Sequence, residues 1–319
     1  MQVSSVFIGV DVASKWLDIC LSDTSEPLRI DNTPQAITAW LKTLPKHSII
    51  GMEVTSHYHK LLAQQAYGIL KNVYVLNPRD VKHYALGVGR RAKTDQIDAQ
   101  IIRRFISREH QLLRPWKPAT ATQDQITSLF HRRANLIKQK QAIRQSCKAL
   151  QASLHQLEPA IAGIKTLIEE MDTLLFKALA LTPDTYSGYK AMETIPGVGR
   201  LTAAYLANLF ARTDFKKTDQ VISFLGLDLL FNDSGKKRGK RWLSKRGPSE
   251  ARRLLYNAAM SAARGVFKVM YDSYRERLCY TQAIVALMRK LAKIAFGIWK
   301  SGEKFALDTF NSPLMVENT

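Results

Sequence analysis

The sequence predicts an α/β domain followed by an all-α half. A mixed-sheet domain covers residues 1–115, a central coiled coil 120–182, and a basic helical domain with a helix-hairpin-helix 185–310. Three observations carry this. Short apolar runs alternate with amphipathic stretches in the first third. A three-four apolar spacing then holds from Ile126 to Leu175. Beyond it, helical periodicity comes with dense Lys and Arg.

Val6–Val10 is a buried-strand run, and Trp16–Leu21 and Leu28–Asp31 follow as strands joined by polar turns. Pro34–Leu44 is an amphipathic helix, Ser48–Met52 a strand, His57–Leu70 a helix, and Val73–Leu76 a strand closed by Asn77-Pro78. A helix capped by Thr94 runs to Arg108. In the coiled coil, Arg133 and Lys140 interrupt the seam, and Pro159 splits the helix by removing a backbone donor. The pattern fits an intramolecular hairpin and an oligomerisation arm equally. Ile195-Pro196-Gly197-Val198-Gly199 leads into a helix over Leu201–Phe210, as in a helix-hairpin-helix or an ordinary helix-helix turn.

The chain has 319 residues, 46% of them hydrophobic, and a net charge of +20. Such an excess predicts an extended polyanionic partner, DNA or RNA. Three scattered cysteines (Cys20, Cys147, Cys279) suit neither a disulfide framework nor a zinc knuckle. The first residues lack a secretory n-region, and no apolar stretch reaches the ~20 residues of a membrane span. The expected setting is the cytoplasm, at the nucleoid, with no membrane partner.

Asp95 and Asp98 lie three apart on one helix and face the same way. Alone, they suit a helix N-terminus, where acids favour the dipole. Asp11 ends the first strand and Glu53 ends Ser48–Met52, at the sheet edge where α/β proteins carry ligands. Together the four carboxylates suit two divalent cations ~4 Å apart for in-line phosphoryl transfer. Hard oxygen donors favour Mg²⁺, or Mn²⁺, over zinc.

Gly197 and Gly199 allow close approach of backbone to a nucleic-acid phosphate. From Lys236 to Arg253, Lys236, Lys237, Arg238, Lys240, Arg241, Lys245, Arg246, Arg252 and Arg253 face a single acid, Glu250. Trp242 lies inside this run, placed to stack on a base. Ser234, in the turn just upstream, is a candidate nucleophile.

These residues, in this order, resemble the insertion-sequence 110 family of transposases, including its 1111 subgroup, over nearly the whole chain. The N-terminal part is similar to that family's RuvC-like (RNase H-like) domain, whose four acids fall on Asp11, Glu53, Asp95 and Asp98. The family's catalytic serine falls on Ser234. Three features depart from the pattern: Ser56 follows Thr55 where glycine is usual, Gly226-Leu227-Asp228-Leu229 lacks the usual proline, and the basic loop after Ser234 is shortened, which leaves Ser244 as a weaker alternative nucleophile. The resemblance implies cutting and rejoining of donor and target DNA through a phosphoserine link, guided by a structured noncoding RNA. It also implies a homo-oligomer, a dimer or a tetramer on DNA, in which one protomer's acids meet another's serine. A Holliday-junction-type nuclease that uses water, a site-specific invertase of the same family and a non-catalytic nucleic-acid-binding protein are the alternatives.

Overall fold

A computed structural model describes residues 6–22, 28–70, 72–89, 95–149, 154–231, 234, 239 and 241–307, with backbone alone for Asp95 and Gln96. The chain divides into two compact units, Met1–Pro118 and Ala119–Thr319.

In the first unit, β1 (Phe7–Val12), β2 (Trp16–Cys20), β3 (Leu28–Asp31), β4 (Ile49–Glu53) and β5 (Val73–Leu76) form a mixed sheet in the order β3-β2-β1-β4-β5. β1–β2 and β2–β3 are antiparallel, while β1–β4 and β4–β5 are parallel. Strand side chains alternate between faces, so Ile8, Val10 and Val12 pack with Leu17, Ile19, Ile50 and Met52 against α1 (Pro34–Thr43) and α2 (His59–Ile69). Ile49, Tyr74 and Leu76 point the other way, onto α3 (Pro78–Gly87) and α4 (Asp95–Glu109). A mixed sheet with helices on both faces follows, consistent with a RuvC-like DEDD domain.

Two expectations change here. Asp11 does not end β1 but is its penultimate residue, with Val12 closing the strand. Asn77-Pro78 opens a helix as well as closing a strand: the Asn77 side chain accepts from Arg79 N at 2.9 Å, and Pro78 takes the first helical position, where a missing N–H costs nothing. Thr94, the expected cap of α4, lies outside the described residues.

Among the described residues the second unit is helical apart from one strand pair and a single β-bridge at Ser234. α5 (Ala121–Ser146) opens with a capping box, in which Thr120 and Gln123 each satisfy the other's backbone N–H. α6 (Leu157–Ala180) packs beside α5, and ion pairs Arg133–Asp172 at 2.5 Å and Arg144–Glu158 at 4.0 Å make the two antiparallel. Arg133, which seemed to break the apolar seam, has an intramolecular partner. The helices part before Pro159, which sits in the first turn of α6. There its missing N–H would be unpaired in any case, so it starts the helix instead of splitting it.

α7 (Pro183–Glu193), α8 (Arg200–Arg212), α9 (Thr218–Phe224), α10 (Ser249–Ala262), α11 (Lys268–Arg277) and α12 (Tyr280–Ser301) complete the unit. α12 buries Ile284, Leu287, Met288, Leu291, Ala295 and Phe296 at helical spacing. Ile126, Phe130, Leu175 and Leu179 join α5 and α6 to the same core. β6 (Leu229–Leu230) and β7 (Trp242–Leu243) pair antiparallel, a feature too short for the sequence to signal. Among the described residues no helix is long and apolar enough to cross a membrane.

Candidate DNA-processing site

The acid half is built by register. β1 and β4 run parallel with Gly9 opposite Gly51 and Val10 opposite Met52, so Asp11 and Glu53 occupy the next step. They share the face that α4 covers. α4 can lie on that face because of two glycines. A Cβ at Gly9 would stand 2.1 Å from the Ala99 carbonyl oxygen and 2.3 Å from the Arg103 nitrogen. One at Gly51 would stand 2.6 Å from Ile106 Cγ2. The helix crosses β1 in the reverse sense: the Phe7 ring meets His110, with centroids 4.9 Å apart, and Gly9 meets Ala99 and Arg103. Asp11 is thereby directed toward the N-terminal end of α4, where Asp95 and Asp98 lie.

Asp11, Glu53 and Asp98 are half-buried. Among the described residues no three His, Cys, Asp or Glu side chains stand close enough together to hold a metal ion, and the Asp95 side chain is outside that set. The donor chemistry itself fits a hard divalent cation, since carboxylate oxygens are its preferred ligands.

Sequence reading missed a fifth acid on this face. Asp18 lies directly opposite Asp11 in the β1–β2 ladder and is 3% exposed. Its carboxylate takes two bonds from Arg29, Nε at 2.8 Å and Nη2 at 2.9 Å, and the Arg29 guanidinium sits 5.0 Å from the Trp16 ring centre. The pairing neutralises a buried charge that would otherwise repel Asp11. Nothing local in the sequence marks Asp18; its meaning depends on the strand register. Beyond Glu53, Ser56 adopts φ +44°, the left-handed region that favours glycine. His59, buried at the start of α2, has its pKa pushed below 6.5 by burial, with Lys60 and His57 adding to the effect and a hydrogen bond to the Thr55 backbone opposing it.

The serine half is built differently. Ser234 is exposed and lies three residues beyond Phe231 on the arm leaving β6. Phe231 is 64% exposed, with the Arg241 guanidinium 4.8 Å from its ring centre. Trp242 is 49% exposed, and Arg241, Lys245 and Arg246 are exposed beside it. Lys236, Lys237, Arg238 and Lys240 lie outside the described residues. Ser244 is half-buried at the foot of β7, and its hydroxyl donates to Asp228.

Two arginines of the basic run have structural partners. Arg253 donates at 2.6 and 2.7 Å to buried Glu250, a bond that raises its pKa. Arg252 donates to the Leu225 and Gly247 carbonyls, and burial lowers its pKa. Gly197, at φ +87°, approaches Ala258 and Ala262 so closely that a Cβ would stand 2.6 Å from Ala262 Cβ. Exposed Gly199 precedes α8. Beside them opens a cavity of about 890 Å³ lined by Lys177, Arg200 and Asn257 among others.

Comparison with known proteins places two family models in order along the chain. A transposase family model of the DEDD type for IS110 elements matches residues 8–158, and the Transposase IS116/IS110/IS902 family model matches residues 189–275. The pilin gene-inverting protein of Moraxella lacunata is 25% identical over 324 residues, covering 95% of this chain and 98% of that protein. Its Moraxella bovis counterpart is alike in identity and coverage. The transposase for insertion sequence element IS1111A of Coxiella burnetii is 27% identical over 271 residues, 72% of each chain. With two models of one family matched in order and a transposase relative beside them, the chain belongs to the IS110 family of transposases.

Proposed function

We propose that this chain is the DNA recombinase of an insertion sequence, cutting and rejoining donor and target DNA through a phosphoserine link at Ser234. The observation that carries this reading is the convergence of β1, β4 and the N-terminal end of α4, each bearing acids, on one edge of the sheet. Asp11, Glu53, Asp95 and Asp98 would hold Mg²⁺ or Mn²⁺. The bound cation would polarise the scissile phosphate and favour deprotonation of the attacking hydroxyl.

Ser234 Oγ attacks phosphorus and gives up its proton to solvent; the Oγ–P bond forms as the bond to a deoxyribose oxygen breaks. That oxygen takes up a proton from solvent and leaves as a hydroxyl. A second deoxyribose hydroxyl then attacks the phosphoserine and releases the serine. One phosphodiester replaces another, so ATP is not needed. A structured noncoding RNA selects the sites. Gly197, Gly199, Lys236, Lys237, Arg238, Lys240, Arg241, Trp242, Lys245 and Arg246 contact nucleic acid, through phosphate charge and base stacking.

A second protomer supplies the serine to each acid cluster. Leu167, Leu174 and Leu181, seven residues apart, remain exposed along α6 and its C-cap, which supports pairing with another copy. Inversion is a second outcome of the same chemistry, and the likeness to the pilin gene-inverting proteins favours it as an alternative product.

The test is strand exchange by purified protein with Mg²⁺, the RNA transcribed beside the gene, and plasmids carrying the flanking DNA. Ser234→Ala should abolish exchange, with loss of a nucleophile costing up to ~10⁶-fold. Persisting exchange would exclude the serine. DNA cutting with no detergent-stable protein–DNA link would point instead to a water-using nuclease. The orientation of the rejoined ends distinguishes inversion from transposition.

A further inference from the structure

We propose that Asp228, Ser244 and Arg252 are positioning residues that lock the foot of the arm carrying Ser234. The proposal rests on reading Ser234 as the nucleophile.

β6 and β7 contribute only two residues each, and a strand pair so short is marginal by itself in water. Ser234 itself stands in a single β-bridge farther out on the arm, so its placement follows from how the foot of the arm is held. The foot of the arm is tied by three independent links. The Ser244 hydroxyl donates to Asp228 Oδ1, and the Ser244 amide donates to the Asp228 carbonyl at 3.0 Å. The Lys245 amide donates to the Gly226 carbonyl at 3.1 Å. Arg252, reaching from α10, donates to the Leu225 carbonyl at 3.0 Å and the Gly247 carbonyl at 2.7 Å, one on each side of the foot.

Two glycines let these backbones meet. Gly226 turns at φ +65°, and a Cβ on Gly247 would stand 2.0 Å from the Phe224 carbonyl oxygen. On the other side of the strand pair, Arg241 covers Phe231. The ladder pairs Leu229 with Leu243 and Leu230 with Trp242, and a side-chain pair flanks each end of it, Asp228–Ser244 and Phe231–Arg241. Ser244 thus has a use other than nucleophilic attack: it is half-buried, and its hydroxyl hydrogen is engaged by Asp228. Ser234 is exposed. Of the two serines, one fixes the arm and the other is presented by it.

The experiment uses the full chain, a supercoiled plasmid carrying the DNA that flanks the gene, the adjacent RNA and Mn²⁺. It reads the initial rate of the detergent-stable protein–DNA link, plasmid affinity, the melting temperature, and the Trp242 signal in fluorotryptophan NMR, assigned with Trp242→Phe. Ser244→Ala should slow link formation roughly 10- to 100-fold, the effect of misplacing a reacting group by about 1 Å. It should broaden the Trp242 signal while affinity and melting temperature stay near wild type. Ser244→Thr, which keeps the hydroxyl, should restore both rate and signal.

A sharp Trp242 signal in Ser244→Ala overturns the proposal, whether or not the rate falls; a fallen rate with a sharp signal would make Ser244 itself reactive. A link that persists in Ser234→Ala overturns the nucleophile reading, while the Trp242 signal still decides the lock. If Ser244→Ala does not fold, Asp228→Asn carries the test. It keeps an acceptor for the hydroxyl, and it should lose rate by less than tenfold with a Trp242 signal between the two extremes. An unchanged rate and signal there overturn the lock.

Discussion

In the sheet unit each candidate acid stands on a strand or helix whose neighbours set its register, whereas in the helical unit Ser234 stands on an arm beyond two strands of two residues each. Asp11 and Glu53 inherit their positions from the β1–β4 ladder, and Asp98 from the contact of α4 with Gly9. Ser234 stands in a single β-bridge on an arm whose foot is tied by side-chain links. Rigid placement suits groups that hold a cation to within a few tenths of an ångström. A tethered arm suits a nucleophile that must meet DNA and then let it go. The two designs should fail in different ways.

The largest effect is expected where backbone meets backbone. Gly9→Ala places a Cβ 2.1 Å from the Ala99 carbonyl, which cannot rotate away, so α4 must lift. The cost should be about 3 kcal/mol in urea unfolding, with DNA cutting reduced ~100-fold as Asp98 moves. Gly51→Ala meets the side chain of buried Ile106, which is stiff at χ1 but is not backbone, and should cost about 2 kcal/mol. Equal losses for the two would mean that α4 does not rest on β1 as described.

Arg29→Ala should come next. It leaves the Asp18 carboxylate buried without its partner, at roughly 2 kcal/mol, because Arg29 is half in solvent and a fully buried pair costs ~3–5. Adding Asp18→Asn to that variant should recover most of the loss in urea unfolding, since no buried charge then remains. No recovery would assign the loss to Arg29 packing on Trp16.

These two predictions also mark the limits of the sequence. The strands and α4 are legible because apolar residues there recur at strand or helix spacing. The spacing Gly9-x-Asp11 and Gly51-x-Glu53 was legible too, yet its meaning is visible only once α4 is seen resting on both glycines. α3 is illegible because it buries little besides Val81. Asp18 is illegible because cross-strand pairing is not a local property. β6 and β7 are too short to show any period, so the foot of the serine arm had no signal beyond its glycines.

A third test separates the units by pH. The His59 pKa is lower in the fold than the 6.5 of an unfolded chain, so the unfolded state binds more protons between those two values. Its contribution is fully present above pH ~6.5 and is lost as pH falls through that value toward the folded pKa. The sheet unit should weaken over this window, and His59→Gln should flatten the dependence. The serine arm contains no histidine, so the Trp242 signal should stay constant over the same range. A Trp242 response would show that the arm senses a group outside its own lock.

The smallest effects come from the two strained residues, one in each unit. Ser56 at φ +44° and Lys245 at φ +52° occupy the left-handed region, which costs a non-glycine residue ~1–2 kcal/mol. Glycine removes that cost but adds freedom to the unfolded chain, so the net gain should be about 0.5–1 kcal/mol. Ser56→Gly also gives up the 3.3 Å contact between Ser56 Oγ and His57 Nδ1 and should gain less. Lys245→Gly keeps its backbone bond to Gly226 and should gain more, while surrendering one exposed cation beside Trp242. Urea midpoints then rank the two, and the salt dependence of DNA binding should fall by ~1 in logarithmic slope for Lys245→Gly alone. If Lys245→Gly loosens the Trp242 signal instead of stabilising the unit, the strained lysine belongs to the lock itself. The arm would then be held by backbone strain as well as by its side-chain links.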